Sequence, residues 1–315
     1  MNYAEQWSPE LLEILMQETL TSPFITTNVK WLDAKTFHFT QMSTGGYKSH
    51  NRKGGWNRGD YTQKDVPFTL QFDRDIEFLV DKADVDETNA TASIENISKV
   101  FEQTQAAPEI DAYFFSKVAN TAQGIEGYHS ETAESEWTKE NVFGKLKGFI
   151  NAGKLRRYKA KGALLMYVRS FVMDLLEESK DFNRKIEMTS INEGGLSIQT
   201  RVTDIDGVYI FEVIDDERFY DKFDFTDGFM PVVKDAEGSV AGSRKINVLL
   251  ASPLTTKTVP KIASIYYFAP GAHTEGDGYL YQNRKLMDVF TFPNGKDGKI
   301  DSVYVDVDTT EYVAE

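Results

Sequence analysis

The sequence predicts an α+β fold, and three patterns support this class. Apolar residues occupy almost every second position from Phe68 to Val80, which predicts a strand with one face on a core. The apolar period then becomes helical between Ile94 and Val118, which predicts a long one-sided helix. Further strand-like segments follow without a regular alternation of strands and helices, so an α/β arrangement is not indicated.

Two residues modify these main elements. Arg74 interrupts the apolar face of the strand, and we expect it to pair with a carboxylate because an unpaired buried guanidinium would be very costly. Pro108 lies within the helical stripe, where it removes a backbone donor and crowds the preceding turn. We therefore predict a long helix, capped at Ser93 or Thr91, that is kinked or restarted near Ala107.

The first part of the chain predicts an arm and a long hairpin. Residues 8–20 have the amphipathic pattern of a short helix. Strand character begins at Asn28, and the glycine-rich stretch 43–65 that follows has almost no aliphatic residues. Because that stretch cannot bury a face of its own, we interpret it as the tip of a very long hairpin whose return strand is Phe68–Val80. A loop of this length without a core predicts contact with another molecule.

The remaining segments predict helices and further strands. An amphipathic pattern predicts a helix within residues 140–159, and a second helix within 171–179. The continuous apolar run 162–168 is typical of a buried strand. Other strands are predicted at 195–203, 208–214, 245–251, 261–268, 284–292 and 300–307, with turn signals between them.

Composition excludes several classes of protein. The 315 residues are 41% hydrophobic and 13% aromatic, which predicts a folded chain of one large or two moderate domains. Cysteine is absent, so disulfides, thiolate metal sites and thiol nucleophiles are excluded. No apolar run is long enough to cross a membrane and the N-terminus lacks a signal-peptide pattern, so we predict neither membrane association nor export. Because the net charge is −14, binding of nucleic acid by the chain as a whole is unfavourable.

Basic residues are concentrated in two segments. Residues 44–64 contain one acid and five bases, Lys48, Arg52, Lys53, Arg58 and Lys64. Residues 142–173 contain no acid and eight bases, Lys145, Lys147, Lys154, Arg156, Arg157, Lys159, Lys161 and Arg169. The first segment also holds Tyr47, Trp56 and Tyr61, a mixture that fits a single-strand nucleic-acid binder or a protein clasp, and the net charge favours the clasp. The second basic segment, 142–173, is typical either of a solvent-exposed face or of an electrostatic contact, and both interpretations stay open.

The sequence contains no catalytic or cofactor motif. It lacks a nucleophile elbow, a dinucleotide or phosphate-binding loop and an HExxH helix, so we predict no enzyme, no catalytic residue and no cofactor. The four histidines have no metal-like spacing. Asp84, Asp86, Thr88 and Glu95 match four positions of a calcium loop, but Asn89 replaces its glycine and a strand-like segment precedes it. The helix dipole alone favours carboxylates there, so we predict no metal.

The order of these parts resembles the major capsid proteins of tailed bacteriophages, which have the Hong Kong 97-type fold. Two consecutive segments, FTLQFDRDIEFLVDKADVDETN and ASIENISKVFEQTQAAPEIDAYFFSKVA, are similar to the strand, link and spine helix of capsid proteins from siphophages of Gram-positive hosts. KINVLLASPLTTKTVPKIASIYYFAPG and GYLYQNRKLMDVFTFPNGKDGKI resemble the late segments of that family. In the last of these, Arg284 and Asp288 precede an aromatic strand and a glycine-containing turn. The resemblance covers nearly the whole chain.

The resemblance implies a division of the chain into five parts. Residues 1–35 would be an N-terminal arm, 36–80 the extended hairpin loop, 81–140 the peripheral domain with its spine helix, 141–259 the axial domain and 260–315 returning strands of the peripheral domain. It also implies candidate residues at contacts between subunits, where the basic tip would meet acidic patches of adjacent copies. These candidates are Lys48, Arg52, Lys53, Trp56, Arg58, Tyr61, Lys64, Arg74, Arg284 and Asp288.

The implied function is self-assembly. Copies would form pentamers and hexamers that close into an icosahedral shell around double-stranded DNA, which the shell encloses without sequence-specific binding. The expected partners are a portal protein, a scaffolding protein, because no scaffold-like domain precedes the arm, and possible decoration proteins. The expected location is the virion, after assembly in the bacterial cytoplasm. The alternatives are an encapsulin-like compartment shell and a nucleic-acid-binding protein that uses the basic hairpin tip.

Overall fold

The computed structural model describes residues 19–27, 31, 33, 35–50, 54, 56–82, 94–180, 187–193, 196–234, 241–274, 276–294 and 298–313. Within these ranges, helices combine with a seven-stranded sheet, a three-stranded sheet and two two-stranded pairs. The predicted α+β class is therefore confirmed. The helix predicted over residues 8–20 lies outside the described residues except for its last two, which are not helical.

The secondary-structure elements have the following bounds. The strands are β1 (Thr36–Thr44), β2 (Tyr61–Thr69), β3 (Phe72–Asp81), β4 (His129–Glu131), β5 (Leu165–Arg169), β6 (Glu187–Glu193), β7 (Leu196–Ile205), β8 (Val208–Val213), β9 (Phe223–Asp224), β10 (Met230–Pro231), β11 (Arg244–Ala251), β12 (Thr256–Phe268), β13 (Gly278–Thr291) and β14 (Val303–Glu311). The α-helices are α1 (Ile94–Phe101), α2 (Ala107–Gln123), α3 (Val142–Ile150), α4 (Arg156–Lys159) and α5 (Ser170–Glu178). A π-helical turn, Glu102–Ala106, joins α1 to α2.

The seven-stranded sheet has the order β4-β14-β11-β5-β8-β7-β6 and lies between helices. Its pairs are antiparallel except β4–β14 and β5–β8. Leu165 and Tyr167 of β5 pack in the core that contains α2, whereas Met166 and Val168 pack in the core that contains α3 and α5. Both faces of β5 are therefore buried, which explains why its sequence is continuously apolar rather than alternating and confirms the predicted strand.

The predicted single strand Phe68–Val80 is wrong, because the structure has two strands there. β2 pairs with β1 in the hairpin, whereas β3 pairs with β13 at the edge of the three-stranded sheet, whose order is β12-β13-β3. At the break, Leu70 N donates to Lys35 O and Gln71 N donates to Asp288 Oδ2. The apolar alternation continues through the break because Phe68, Leu70 and Phe72 all face cores, so periodicity alone could not reveal the change of partner strand.

The interruption of the long helix lies where Pro108 predicts it. The π-helical turn ends at Ala106, and Pro108 follows in the first turn of α2, where its missing N–H removes one backbone hydrogen bond from the continuous helix. The turn also brings Glu102 into the interior, where Tyr281 OH and Asn283 Nδ2 donate to Oε1 and Lys285 Nζ lies 3.2 Å from Oε2. The helix is therefore continuous but locally widened, and the wide turn is tied to β13.

The N-terminal segment is anchored on α2. Asp111 Oδ1 accepts bonds from Thr21 N and Thr21 Oγ1, and its Oδ2 accepts one from Leu20 N. Arg218 Nη1 lies 3.2 Å from the same carboxylate. Burial raises the pKa of Asp111, and the Arg218 guanidinium partly opposes this rise. Phe24 is fully buried against the same helix, so the end of the arm is held by both charge and apolar packing.

Strand pairing groups the C-terminal segments differently from the expected division. β12 and β13 pair with each other, and β13 pairs with β3, as strands returning to the peripheral domain would. β14 instead pairs with β11 in the seven-stranded sheet, most of whose strands come from residues 141–259. β12 begins at Thr256, so the expected boundary at 259 falls within a strand. The five-part division itself stays a prediction.

Candidate assembly surface

The hairpin projects from an aromatic base. β1 and β2 pair over nine residues, from Thr36 opposite Thr69 to Thr44 opposite Tyr61, a length of about 27 Å. At the base, Phe37 is buried and its ring lies 5.6 Å from that of Phe68 and 5.2 Å from that of Phe290. A two-stranded ribbon is at best marginally stable alone in water, so the base fixes the hairpin while its outer part lacks a core within the chain.

The tip exposes large aromatic side chains. Tyr47 is fully exposed, Trp56 is 94% exposed and Tyr61 is also exposed. Polar contacts close the tip: Asn57 Nδ2 donates to Ser49 O at 2.8 Å. These bonds shape the backbone but do not cover the rings. Because Tyr and Trp are enriched at the centres of protein interfaces, the exposed rings indicate a surface that another chain covers.

The basic residues of the tip have few partners within the described residues. Lys48 Nζ donates to Arg58 O at 3.2 Å and lies 3.8 Å from Asp60 Oδ2, which is a long and exposed ion pair. Such a pair contributes little to stability, so the charge of Lys48 is still available to a second molecule. Arg52 and Lys53 lie outside the described residues, as does the side chain of Lys64.

Three further interface candidates lie away from the tip, and two of them use their charge inside the chain. Arg74 Nε lies 2.8 Å from Glu109 Oε1 of α2, which confirms the predicted pairing with a carboxylate. Asp288 is 1% exposed, so it cannot reach an adjacent copy directly. It accepts bonds from Tyr113 OH at 2.7 Å and from Gln71 N at 3.1 Å. Burial, together with the neighbouring Asp288, raises the pKa of Tyr113.

Arg284 is exposed, and it does not contact Asp288 despite their spacing of four. Its Nη2 lies 2.9 Å from Asp73 Oδ2, and Lys35 Nζ lies 3.1 Å from the same oxygen. The hydrogen bond from Arg284 holds the pKa of Asp73 below its usual value. In a strand, residues four apart share a face, but position 284 is exposed, whereas Asp288 is buried where Tyr113 and Gln71 contact it. Of the three, Arg284 is the most accessible to another copy, because half of its side chain is exposed.

Sequence reasoning missed an acidic surface on β3. The residues between the inward-facing apolar ones alternate outward and are exposed: Asp73, Asp75, Glu77, Leu79 and Asp81. Because β3 is an edge strand, this acidic stripe lies at the rim of the three-stranded sheet. The charges at the outward-facing positions of the same alternating pattern would have identified this acidic stripe from the sequence. The chain therefore carries a basic protruding tip and a separate acidic stripe, two surfaces of opposite charge.

The second basic segment divides into paired and unpaired residues. Arg169 is buried between Glu134, at 3.1 Å, and Asp216, at 3.3 Å. Lys147 and Lys159 both lie within 3.6 Å of Asp206, and together they lower its pKa. Lys145 Nζ lies over the ring of Trp137. The other bases, Lys154, Arg156, Arg157 and Lys161, are exposed and have no carboxylate within ion-pair distance among the described residues.

Other chemistry is not indicated within the described part of the chain. No group of three or more histidines and carboxylates there could hold a metal ion. The calcium-loop match cannot be placed, because Asp84, Asp86, Thr88 and Asn89, and the side chain of Glu95, lie outside the described residues. No described helix combines the length and apolar character needed to cross a membrane.

The arrangement is similar to solved phage structures. The asymmetric unit of the bacteriophage PhiM1 mature capsid superposes with a TM-score of 0.59 at 13% identity, covering 93% of this chain and 88% of that chain. A Mycobacterium phage Che8 structure gives 0.56 at 12%, covering 91% and 90%. The capsid of Cyanophage P-SCSP1u gives 0.56 at 8%, covering 94% and 89%. The chain has the tailed-phage capsid fold. No protein-family model and no curated protein matches it.

The resemblance inferred from the sequence is confirmed at the level of fold. α1, the π-helical turn and α2 together form one long helix, and β1 and β2 form a hairpin. Because the identities are 13% or lower, the similarity establishes the fold of the chain, and its function requires a separate argument.

Proposed function

We propose that this chain is a major capsid protein, whose copies form pentamers and hexamers that close into an icosahedral shell around a phage's double-stranded DNA. The observation that supports this most directly is the exposed hairpin on a capsid fold. Its tip carries Tyr47 and Trp56, which no described residue covers, and Lys48 and Arg58. Such side chains become buried only when a second molecule lies against them.

Charge supports other copies of the same chain as that second molecule. The tip has an excess of basic residues, whereas the stripe on β3 presents Asp75 and Glu77. A contact of one surface with a different surface of the next copy is heterologous, and repetition of such a contact closes into rings when the rotation allows it. Heterologous contact between opposite charges also disfavours other pairings, because like charges would then meet. We propose Lys48, Arg52, Lys53, Trp56, Arg58, Tyr61, Lys64 and Arg284 as contact candidates.

The remaining partners belong to the same proposal. A scaffolding protein would set the curvature of the shell during assembly in the bacterial cytoplasm, a portal protein would occupy one vertex, and decoration proteins could bind the finished virion. The chain would act in this way as a structural protein rather than an enzyme. The division into arm, hairpin, peripheral and axial parts is the geometric framework of this proposal.

Co-expression and electron microscopy test the proposal. The full chain is expressed alone and with its neighbouring genes, then examined by negative-stain microscopy and sedimentation velocity. Shells, or rings of five or six subunits, support a self-assembling coat, and packaged DNA distinguishes a phage capsid from an encapsulin-like compartment. Uniform closed shells from the chain alone would remove the need for a scaffolding protein. A monomer under all conditions, even at high concentration, would contradict the proposal.

A further inference from the structure

A purely basic surface lies at one corner of the seven-stranded sheet, distant in sequence from the hairpin. It is formed by the turn after α3, by α4 and by the turn into β5. Lys154, Arg156, Arg157 and Lys161 are exposed there, and no carboxylate in the described ranges lies within ion-pair distance of them. We refer to these four residues as the basic corner.

The backbone of the basic corner is fixed by buried side chains and a hydrogen bond. Leu155 and Tyr158 point inward and are buried in the core with α3 and α5. Tyr158 OH donates to Asp301 Oδ1, which ties the turn to the segment before β14. Gly153 has a positive φ of 49°, and a Cβ there would lie 2.6 Å from the ring of Tyr128. The turn therefore has a fixed shape that directs the four basic side chains outward.

One arginine of the corner is also oriented. Arg156 Nε donates to Asn151 Oδ1 at 2.9 Å, which leaves its terminal amino groups directed away from that bond. A guanidinium held in this way can present two parallel donors to an anion. The terminal amino groups of Arg156 can therefore bind an anion that approaches from solvent.

The composition of the surface indicates which anion. Every exposed residue in 142–169 is glycine, alanine, lysine or arginine: Gly144, Gly148, Gly153, Lys154, Arg156, Arg157, Ala160, Lys161 and Gly162. The centres of protein interfaces are instead depleted of charge and enriched in aromatic side chains, as at the hairpin tip. Contacts with a nucleic-acid backbone instead use lysine and arginine.

We propose that the basic corner binds the phosphate backbone of double-stranded DNA, without reading its sequence. The rest of the chain, with its net charge of −14, repels DNA, but that repulsion is screened beyond about 10 Å at 0.1 M salt. Contact is therefore local and weak. The inference goes beyond shell formation, because it assigns a ligand to a surface that the hairpin does not use.

The test is binding of the full chain, as dissociated subunits, to a mixed-sequence duplex of about 30 base pairs across a range of salt concentrations. If up to four phosphates are neutralised, the slope of log K against log salt is no steeper than about −3.6, so affinity falls by at most about 150-fold over a fourfold rise in salt. The variant K154Q/R156Q/R157Q/K161Q is expected to lose this binding.

A matched control variant has the same net charge as the quadruple variant of the basic corner. The variant K82Q/K99Q/K139Q/K180Q also removes four exposed basic residues, all of them outside the basic corner and the hairpin tip, and is expected to bind the duplex like the unchanged chain. Loss of binding in this control, or equal loss in both variants, would overturn the proposal. So would a polyglutamate peptide of similar length binding at least as tightly as the duplex, since the corner would then fit an acidic protein. Circular dichroism checks that both variants are folded.

Shell assembly of the unchanged chain, measured beside its duplex binding, separates this inference from the proposed function. Shells formed by a chain that does not bind the duplex would contradict the basic corner alone. Duplex binding by a chain that never assembles would contradict the capsid function alone.

Discussion

Arg74 Nε lies 2.8 Å from Glu109 Oε1, and this ion pair joins the edge strand β3 to the helix α2. Both side chains are largely buried, and Arg74 also donates to the carbonyl oxygens of Phe225 and Gly228. One side chain thus connects the three-stranded sheet, the long helix and the 225–228 loop. Burial raises the pKa of Glu109, and the Arg74 charge partly opposes this rise.

Replacing Arg74 by glutamine should therefore destabilise the subunit by about 2 kcal/mol at neutral pH, less than the ~3–5 kcal/mol of a fully buried pair. The loss arises because Glu109 then lies partly buried without its cation. A carboxyl whose folded-state pKa is raised binds its proton more tightly when folded, so the loss should shrink as pH falls towards that pKa. Urea unfolding at several pH values measures this.

The matched control is Lys35→Gln, which removes one of the two exposed cations that pair with Asp73. It should cost less than about 1 kcal/mol, because exposed ion pairs contribute little. Equal losses in the two variants, or a loss in R74Q that grows as pH falls, would contradict the role assigned to Arg74.

Trp56 tests the hairpin tip as an interface. Trp56→Ala should leave the stability of the subunit unchanged, because the side chain is 94% exposed and packs on nothing in the core. Assembly should weaken by about 30-fold per contact, the equivalent of ~2 kcal/mol at an aromatic hot spot. Light scattering during assembly and urea unfolding of the subunit measure the two effects. Tyr209→Ala, an exposed aromatic of β8, is the control, and an equal assembly defect in it would argue against a specific clasp.

Charge reversal tests the complementarity of tip and stripe. D75K/E77K and K48E/R58E should each slow assembly, and their combination should restore part of the rate, because opposite charges then face each other again. Both defects should diminish at high salt, where exposed charges are screened. The reversal E140K/E178K, at exposed acids elsewhere, should have little effect. If the combined variant assembles no better than either parent, β3 is not the surface that the tip contacts.

The sequence predicted those features that depend on neighbours along the chain. The helical stripe around Phe114 and the proline at 108 located the long helix and its interruption, and the apolar run before Arg169 located a strand buried on both faces. The glycine-rich stretch with Trp56 identified the exposed tip. In each case a local rule of backbone or side-chain chemistry agrees with the tertiary structure.

Features that depend on which strand lies beside which were not predicted. The continuous alternation through Leu70 hid the transfer of the chain from the hairpin to the three-stranded sheet. The pairing of β14 with β11, between residues far apart in sequence, has no local signal. The partners of Asp288 likewise come from β13's contact with α2 and residue 71, so its burial could not be read from its spacing to Arg284.

Tyr158 gives the last prediction, a response to alkaline pH. Its hydroxyl donates to Asp301 Oδ1, and burial together with that bond raises the pKa of Tyr158 to about 12. The folded pKa lies above the unfolded value of about 10, so the contribution of this group to stability is complete below pH 10 and is lost as pH rises from 10 to 12. Tyr158→Phe should cost about 1 kcal/mol at neutral pH, because one hydrogen bond is lost.

Above pH 10, however, the stability of Y158F should fall less steeply than that of the unchanged chain, since the variant has no phenol to ionise at this position. The two stabilities should converge above pH 10 by about 1.4 kcal/mol per pH unit at most. Urea unfolding between pH 8 and 12 measures the slopes, with Tyr209→Phe as the exposed control. Parallel slopes for Y158F and the unchanged chain would mean that Tyr158 does not couple ionisation to the packing of the turn beneath the basic corner.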